Sequence, residues 1–291
     1  MKKTLIFLLV VAFSAIQAQI SSNRFFYEFS YKPQKDSSRI EKVMTILDIT
    51  KEKSVFRDYT LTSQDSIIES SFEKMKKSGV FVDLTRSVRM NKISYKIYKS
   101  YPSMKIQHVE NIMGVGFKYT NIAYSDNINF NWKISSDKEK IGEYNTQKAS
   151  TEFGGRKWTA WFCTDLPFSD GPYKFYGLPG LIVKIEDSEG NFLWEIKGNK
   201  RIDNFSEISY AEKITQRSDL TIHEMPKKKF NTIFENYKKD TFGSVRQMLT
   251  PQLLSQKMPG SDVTIGDMIK SQERINKKLY QETNNTIEIA K

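Results

Sequence analysis

The chain has 291 residues and one cysteine, Cys163, so it cannot close an internal disulfide and must hold its fold by packing. Histidine is almost as scarce: only His108 and His223 occur. Zinc sites need three or four nitrogen, sulfur or carboxylate ligands at characteristic spacing. His108 and Glu110 share one face of an extended strand but have no third ligand beside them. His223-Glu224 lacks the second histidine of the helical zinc-protease motif. Neither histidine stands in a recognised motif with Cys163, which a thiolate nucleophile would need as its base. No Gly-x-Ser-x-Gly elbow is present. Gly114-Val115-Gly116 lacks the longer glycine spacing of a dinucleotide loop and reads as a turn or bulge. The sequence therefore names no catalytic residue, no metal and no cofactor.

Long apolar runs are missing as well, except at the start. Met1-Lys2-Lys3, the run from Thr4 to Phe13, and Ala18 before Gln19 give a basic region, a short apolar core and a small residue at a cut site. This pattern predicts a cleavable export signal over residues 1–18. The apolar stretch falls short of the roughly 20 residues that a spanning helix requires. No cysteine follows it to take a lipid, and no later segment reads as a transmembrane helix. Export makes nucleic acid an implausible partner. Loss of Lys2 and Lys3 lowers the net charge by two, from +11 to +9. Such a balance suits an acidic protein, acidic lipid or lipopolysaccharide contact. The basic residues are nevertheless dispersed among 34 acidic ones, the pattern of an ordinary solvated surface. Lys227-Lys228-Lys229 is the one compact cluster, at the opening of an expected helix.

Hydrophobic content of 38% with 13% aromatics places the chain among globular proteins and suits a pleated surface. From Arg24 to about Lys197 strand signals dominate. Phe25, Tyr27, Phe29 and Tyr31 alternate onto one face, as do Val43, Leu47 and Ile49. Short runs follow at 54–59, 88–98, 104–109, 116–124 and 128–134, divided by turn formers. Gly154-Gly155-Arg156-Lys157 reads as a hairpin turn. Trp158, Ala160 and Phe162 share one strand face. A loop over 164–180 holds three of the eight prolines, and its end, Leu178-Pro179-Gly180, suits a type II turn. Strands at 181–186 and 192–197 form the next hairpin. From Glu224 the period changes to three and four, through Phe230, Ile233, Phe234 and Tyr237, and again through Ile265, Met268, Ile269, Ile275 and Leu279. Asp262 is a candidate cap for the second helix. The expectation is a mainly β fold with some helix: a curved antiparallel sheet, sandwich or partial barrel. It divides into a signal over 1–18, a β-rich domain over 19–222, and a helical C-terminal extension over 223–291 packed on the sheet.

Several short words in the middle of the chain are distinctive. They are Trp132-Lys133-Ile134, Ile141-Gly142-Glu143-Tyr144, Gln147-Lys148-Ala149, Ala160-Trp161-Phe162 and Gly171-Pro172-Tyr173-Lys174-Phe175, followed by Gly177-Leu178-Pro179-Gly180-Leu181-Ile182. In that order they resemble the GLPGLI family of exported bacterial proteins, over roughly residues 132–187. The resemblance implies a signal peptide and a place in the periplasm or cell envelope of a diderm bacterium. It carries no catalytic residue, since the family's biochemical role is not established. Members often have a cysteine before the Gln-Lys-Ala word, where this chain has Thr146.

Two roles are open for the motif. Gly177, Leu178, Pro179, Gly180, Leu181 and Ile182 make structural sense as a stiff turn leading into a buried strand. Alternatively, the proline-rich loop presents Tyr173, Phe175 and Tyr176 as aromatic anchors to a partner. The functional expectation is a non-enzymatic binding or assembly accessory for an outer-membrane transport or surface system. An envelope hydrolase with a non-contiguous site and a lipid or apolar-ligand carrier are the alternatives. Converging carboxylates or a Cys163–histidine pair in a cleft would favour the hydrolase, and a sizeable apolar cavity would favour the carrier.

Overall fold

The computed structural model describes residues 20–84, 87–215 and 221–289. The expected signal over 1–18 lies outside the described residues. Twelve strands form one open sheet. They are β1 (Ser22–Tyr31), β2 (Glu41–Ile49), β3 (Lys53–Asp58), β4 (Lys96–Ser100), β5 (Lys105–Met113), β6 (Tyr119–Asp126), β7 (Lys133–Ile141), β8 (Tyr144–Phe153), β9 (Arg156–Cys163), β10 (Leu181–Asp187), β11 (Phe192–Ile202) and β12 (Ile222–Glu224). Their order is β12-β6-β5-β4-β3-β2-β1-β11-β10-β9-β8-β7. Every neighbouring pair is antiparallel except β12 beside β6, which is parallel. Two meanders, β1 to β6 and β7 to β11, are thus fused through the β1–β11 ladder.

The connection between the meanders dictates the shape. β6 and β7 lie ten strand spacings apart in the sheet. A flat sheet would separate them by about 48 Å at roughly 4.8 Å per spacing. Residues 127–132 join them, a reach of at most about 25 Å from Asp126 to Lys133 even when fully extended. The sheet must therefore curl until its two halves face each other. Ile128, Phe130 and Trp132 of that connection pack on the resulting core. The β1 alternation is the reason for the curl's apolar interior: Phe25, Tyr27 and Phe29 are all buried. Phe29 stacks on Trp194 of β11 at 4.2 Å between ring centroids.

The last third is helical, as its period implies. Helix α1 (Asp65–Ser78) lies earlier, in the β3–β4 connection, and α2 (Tyr210–Thr215) packs against it. Helix α3 (Lys227–Lys239) lays Phe230, Ile233 and Phe234 on Ile122 and Tyr124 of β6. A single turn, α4 (Pro251–Leu254), precedes α5 (Ile265–Asn276). The cap of α5 is Thr264, whose side chain and that of Asp267 satisfy each other's backbone amides. Asp262, the expected cap, instead pairs with Lys257.

Sequence periodicity did not yield α1. Ile68, Phe72 and Met75 have its spacing, but Ile68 is its single buried residue, so the stripe is too narrow to stand out. Of the run 88–98, only Lys96 onward joins the sheet. The segment before it is held by side chains, with Asp58 accepting from the backbone amides of Lys92 at 2.8 Å and Ile93 at 3.1 Å.

Candidate functional site

The loop over 164–180 leaves β9 at Cys163 and re-enters the sheet at β10, and it folds into the concave side of the curled sheet. Backbone bonds tie it to itself: Leu181 N–H donates to Leu166 O at 3.0 Å and Ile182 N–H to Asp170 O at 3.0 Å. Two lysines then fasten it to the far half of the sheet. Lys99 of β4 donates to three carbonyls of the loop, Gly171 at 2.6 Å, Tyr173 at 3.1 Å and Phe175 at 3.2 Å, and pairs with Asp170. Asp170 also accepts from the Tyr101 hydroxyl and from Gly171 N–H. Burial pushes the Lys99 ammonium below the usual lysine range, with Asp170 acting against that. Lys174, on the loop itself, reaches Tyr124 Oη at 3.0 Å, Asp126 at 2.8 Å and Glu288 at 2.5 Å.

The expected anchor residues fall differently from their reading as exposed aromatics. Tyr173 is 4% exposed and Phe175 not at all, while Tyr176 is half-buried. Phe175 sits among Trp158 (4.8 Å), Phe153 and Phe130 (5.5 Å each). Tyr173 stacks on Trp194 and its hydroxyl donates to Glu288 at 2.7 Å. The physical reason is the curl: a loop that projects from a flat sheet projects into the core of a rolled one. In the glycine-proline motif, Leu178, Leu181 and Ile182 are buried, and Gly177 and Pro179 are exposed. Gly177 has φ +95°, which suits glycine. Gly180 is required for another reason: a Cβ there would lie 2.7 Å from the Cys163 carbonyl carbon and overlap its oxygen.

Cys163 is buried in the same core, and among the described residues no hydrogen bond joins it to a histidine. His108 and Glu110 do meet, with Nε2 3.5 Å from the carboxylate. Tyr95, Tyr124 and Phe230 enclose the imidazole, with ring centroids at 5.1, 5.1 and 5.7 Å. His108 Nδ1 and Glu110 Oε2 have no hydrogen-bond partner among the described residues. Among those residues no group of three or more His, Cys, Asp or Glu is placed to hold a metal ion. No helix among them is long and apolar enough to cross a membrane.

The structure also has a surface cleft of about 570 Å³. One wall is the β1–β2 connection and residues 88–92; the other is the end of α5 and the turn after it. Arg39 and Lys92 both pair with Glu41 on the first wall, which also holds Met90, and Lys278, Leu279 and Glu282 stand on the second. The Lys92 ammonium, at 2.5 Å, holds the Glu41 carboxyl below the usual range, so Glu41 is an anion and not a proton donor at neutral pH. The Tyr31 hydroxyl, pushed up to about 12 by burial and by Glu41 and Asp58, stays protonated. Sequence patterning could not reveal this cleft, because its walls come from segments more than 180 residues apart.

Comparison with known proteins gives a partial family match and a likeness of fold. Residues 154–184 match a family described as a protein of unknown function, Porph_ging. The Gly177–Ile182 string lies inside that stretch. No curated protein matches. Among solved structures, PNGF-II in space group C2 aligns with a TM-score of 0.51 at 14% identity, over 75% of this chain and 33% of that one. PNGF-II in space group P21 aligns at 0.49 and 14%, over 75% and 34%. The chain thus spans about a third of the length of the structures it resembles, and the likeness is one of fold alone.

Proposed function

We propose that the protein is an exported, non-enzymatic binding or assembly accessory of a diderm cell envelope, serving an outer-membrane transport or surface system. We read it as a GLPGLI-family protein, a reading supported by the intact string within the family-matched residues. The leader-like sequence at 1–18 supports export to the periplasm or envelope.

The observation that carries the binding reading is the cleft. Its walls hold ammonium, guanidinium and carboxylate groups of both signs, with methionine and leucine side chains among them. That composition matches a polypeptide segment, which carries both charge signs and apolar side chains, and not a lipid tail. The space inside the curled sheet, where a carrier would hold its ligand, is occupied by Phe175, Trp158, Phe162 and Trp194. The favoured partner is accordingly an envelope or outer-membrane protein. Acidic lipid or lipopolysaccharide contact through the basic surface is secondary.

The test is site-specific photo-crosslinking in intact envelopes from Met90 and Leu279, with exposed Ile134 on β7 as the control. The expected result is one protein adduct from both cleft positions, reduced at least tenfold by Lys92→Glu with Lys278→Glu in a chain that still folds. Equal labelling from Ile134, or adducts indifferent to the charge reversal, would remove the cleft from the proposal.

A further inference from the structure

Residues 284–289 run as a strap from the β1–β2 connection to the β8–β9 turn, bending at Ile287 and Glu288. At its start the Asn284 and Asn285 backbone amides donate to Pro33 O at 3.0 and 3.1 Å, and Asn285 Nδ2 donates to Lys32 O at 3.0 Å. Arg156 of β9 then donates to Asn285 Oδ1 at 2.9 Å and to Thr286 O at 3.0 Å. At the far end Ile289 N–H donates to Gly154 O at 2.8 Å. The strap is therefore gripped both through its backbone and through the buried Asn285 amide.

The β8–β9 turn is shaped for it. A Cβ on Gly154 would stand 3.0 Å from Glu288 Cα and 3.2 Å from Ile287 O, and one on Gly155 would stand 3.3 Å from Ile289 Cβ. Beside the Asn285 amide, a second side chain is read specifically. Glu288 accepts from the Tyr173 hydroxyl at 2.7 Å and Lys174 Nζ at 2.5 Å, with Lys227 Nζ at 3.5 Å. Lys174 is completely buried, so this is a built carboxylate pocket and not a surface ion pair. Burial pushes the Glu288 carboxyl up, but Lys174, Tyr173 and Lys227 outweigh it and hold the group below the usual carboxylate range. The strap begins at the cleft: Glu282 and Thr283 line it.

We propose that this groove is a binding site for a polypeptide segment bearing one carboxylate side chain, filled in cis by residues 284–289 as a displaceable occupant. Its specificity elements are the Lys174–Tyr173 pocket, which takes one carboxylate side chain, and Arg156 with the Lys32 carbonyl, which take the Asn285 amide, while the Pro33 and Gly154 contacts hold any backbone. Displacement uncovers Tyr173 and Lys174 from the Glu288 side. It would also let the partner in the cleft run on into the groove. The proposal deepens the binding reading above and rests on it for the identity of the incoming chain as a polypeptide.

The experiment uses the full chain with a protease recognition sequence inserted between Glu282 and Thr283, so that the protein folds first and is nicked afterwards. The probe is a fluorescent peptide of residues 283–289. The expected result is exchange of the probe into nicked protein, no binding to the uncut chain at the same concentration, and at least tenfold weaker binding of the Glu288→Gln peptide. A nicked chain that retains its strap against a hundredfold excess of probe would overturn the proposal and make the strap a fixed staple. So would equal binding of the two peptides, or unfolding on strap release. A Lys174→Met chain, nicked in the same way, gives a second reading: it must lose the preference for the Glu288 peptide. None of these outcomes depends on the envelope crosslinking, which can succeed at the cleft while strap exchange fails.

Discussion

The ammonium of Lys99, in β4, lies against the carboxylate of Asp170, in the loop after β9, and both side chains are sealed from solvent. This pair joins two halves of the sheet that lie far apart in strand order. It also sets the conformation of the loop, because the same ammonium binds three of the loop's carbonyls. Removing one partner of a buried pair leaves the other charge uncompensated, a loss of about 3–5 kcal/mol. Lys99→Met is therefore expected to lower the urea midpoint sharply. Adding Asp170→Asn in that background should recover part of the loss, since the stranded charge is gone. Equal midpoints for Lys99→Met and the parent chain would show that Asp170 does not depend on Lys99.

The loop aromatics give a graded prediction. Phe175 is wholly enclosed by rings, so Phe175→Ala should cost about 3–5 kcal/mol through lost burial and a cavity. Tyr176 is half-buried, and Tyr176→Ala should cost less than half as much. Denaturant titration of both variants checks the order. A larger loss at Tyr176 than at Phe175 would contradict the enclosed packing of Phe175.

These residues also show how far the sequence could be read. Alternation placed Phe25, Tyr27 and Phe29 on the core face, and turn chemistry located the β8–β9 and β10–β11 hairpins, because those signals are local. The change of period at Glu224 marked the helices for the same reason. Whether Tyr173 and Phe175 face solvent or core is not a local property. It follows from the curl of the sheet, which depends on the β1–β11 pairing across more than 150 residues. Lys99 and Lys174 carried no mark of burial, since a lysine in a strand or a loop ordinarily reads as surface. Only the folded chain brings Asp170, Asp126 and Glu288 to them. The cleft and the strap groove are likewise made by distant segments.

Gly180 tests the motif as structure. Its φ is ordinary, so the constraint is space: a methyl group there meets the backbone of Cys163 and Thr164, which cannot turn aside as a side chain can. Gly180→Ala should push β10 away from β9 and destabilise by at least about 2 kcal/mol, in the range of overpacked cores. Pro179→Ala, at an exposed position, should change stability by about 1 kcal/mol or less. Thermal unfolding of the two variants checks this. Similar melting temperatures would mean that the two strands have room to spare.

The buried His108 makes stability depend on pH in a defined window. Burial pushes its imidazole below the usual range, and Glu110 opposes that only in part. The charged groups facing it are Glu110 on β5, Asp126 on β6 and Lys174 of the loop; the rings of Tyr95, Tyr124 and Phe230 complete its surroundings. A depressed histidine stays neutral in the folded state at pH values where the unfolded chain has already taken a proton. Stability is then complete above the unfolded histidine value of about 6.5, and falls as pH drops from there toward the folded value. The slope for one proton is at most about 1.4 kcal/mol per pH unit. Asp126 and Glu288 also titrate low: burial raises each, but the lysines beside them prevail. Their contributions are lost only as pH falls through about 4 and below. Unfolding free energies at pH 7, 6 and 5 for the parent chain and for His108→Gln therefore isolate the histidine. The parent should lose stability across this interval and the variant should lose less. Because Phe230 of α3 packs on the imidazole, amide exchange in α3 should quicken first on acidification. Parallel curves for the two chains would mean that His108 titrates alike in both states, and that the pocket beneath α3 is open to water.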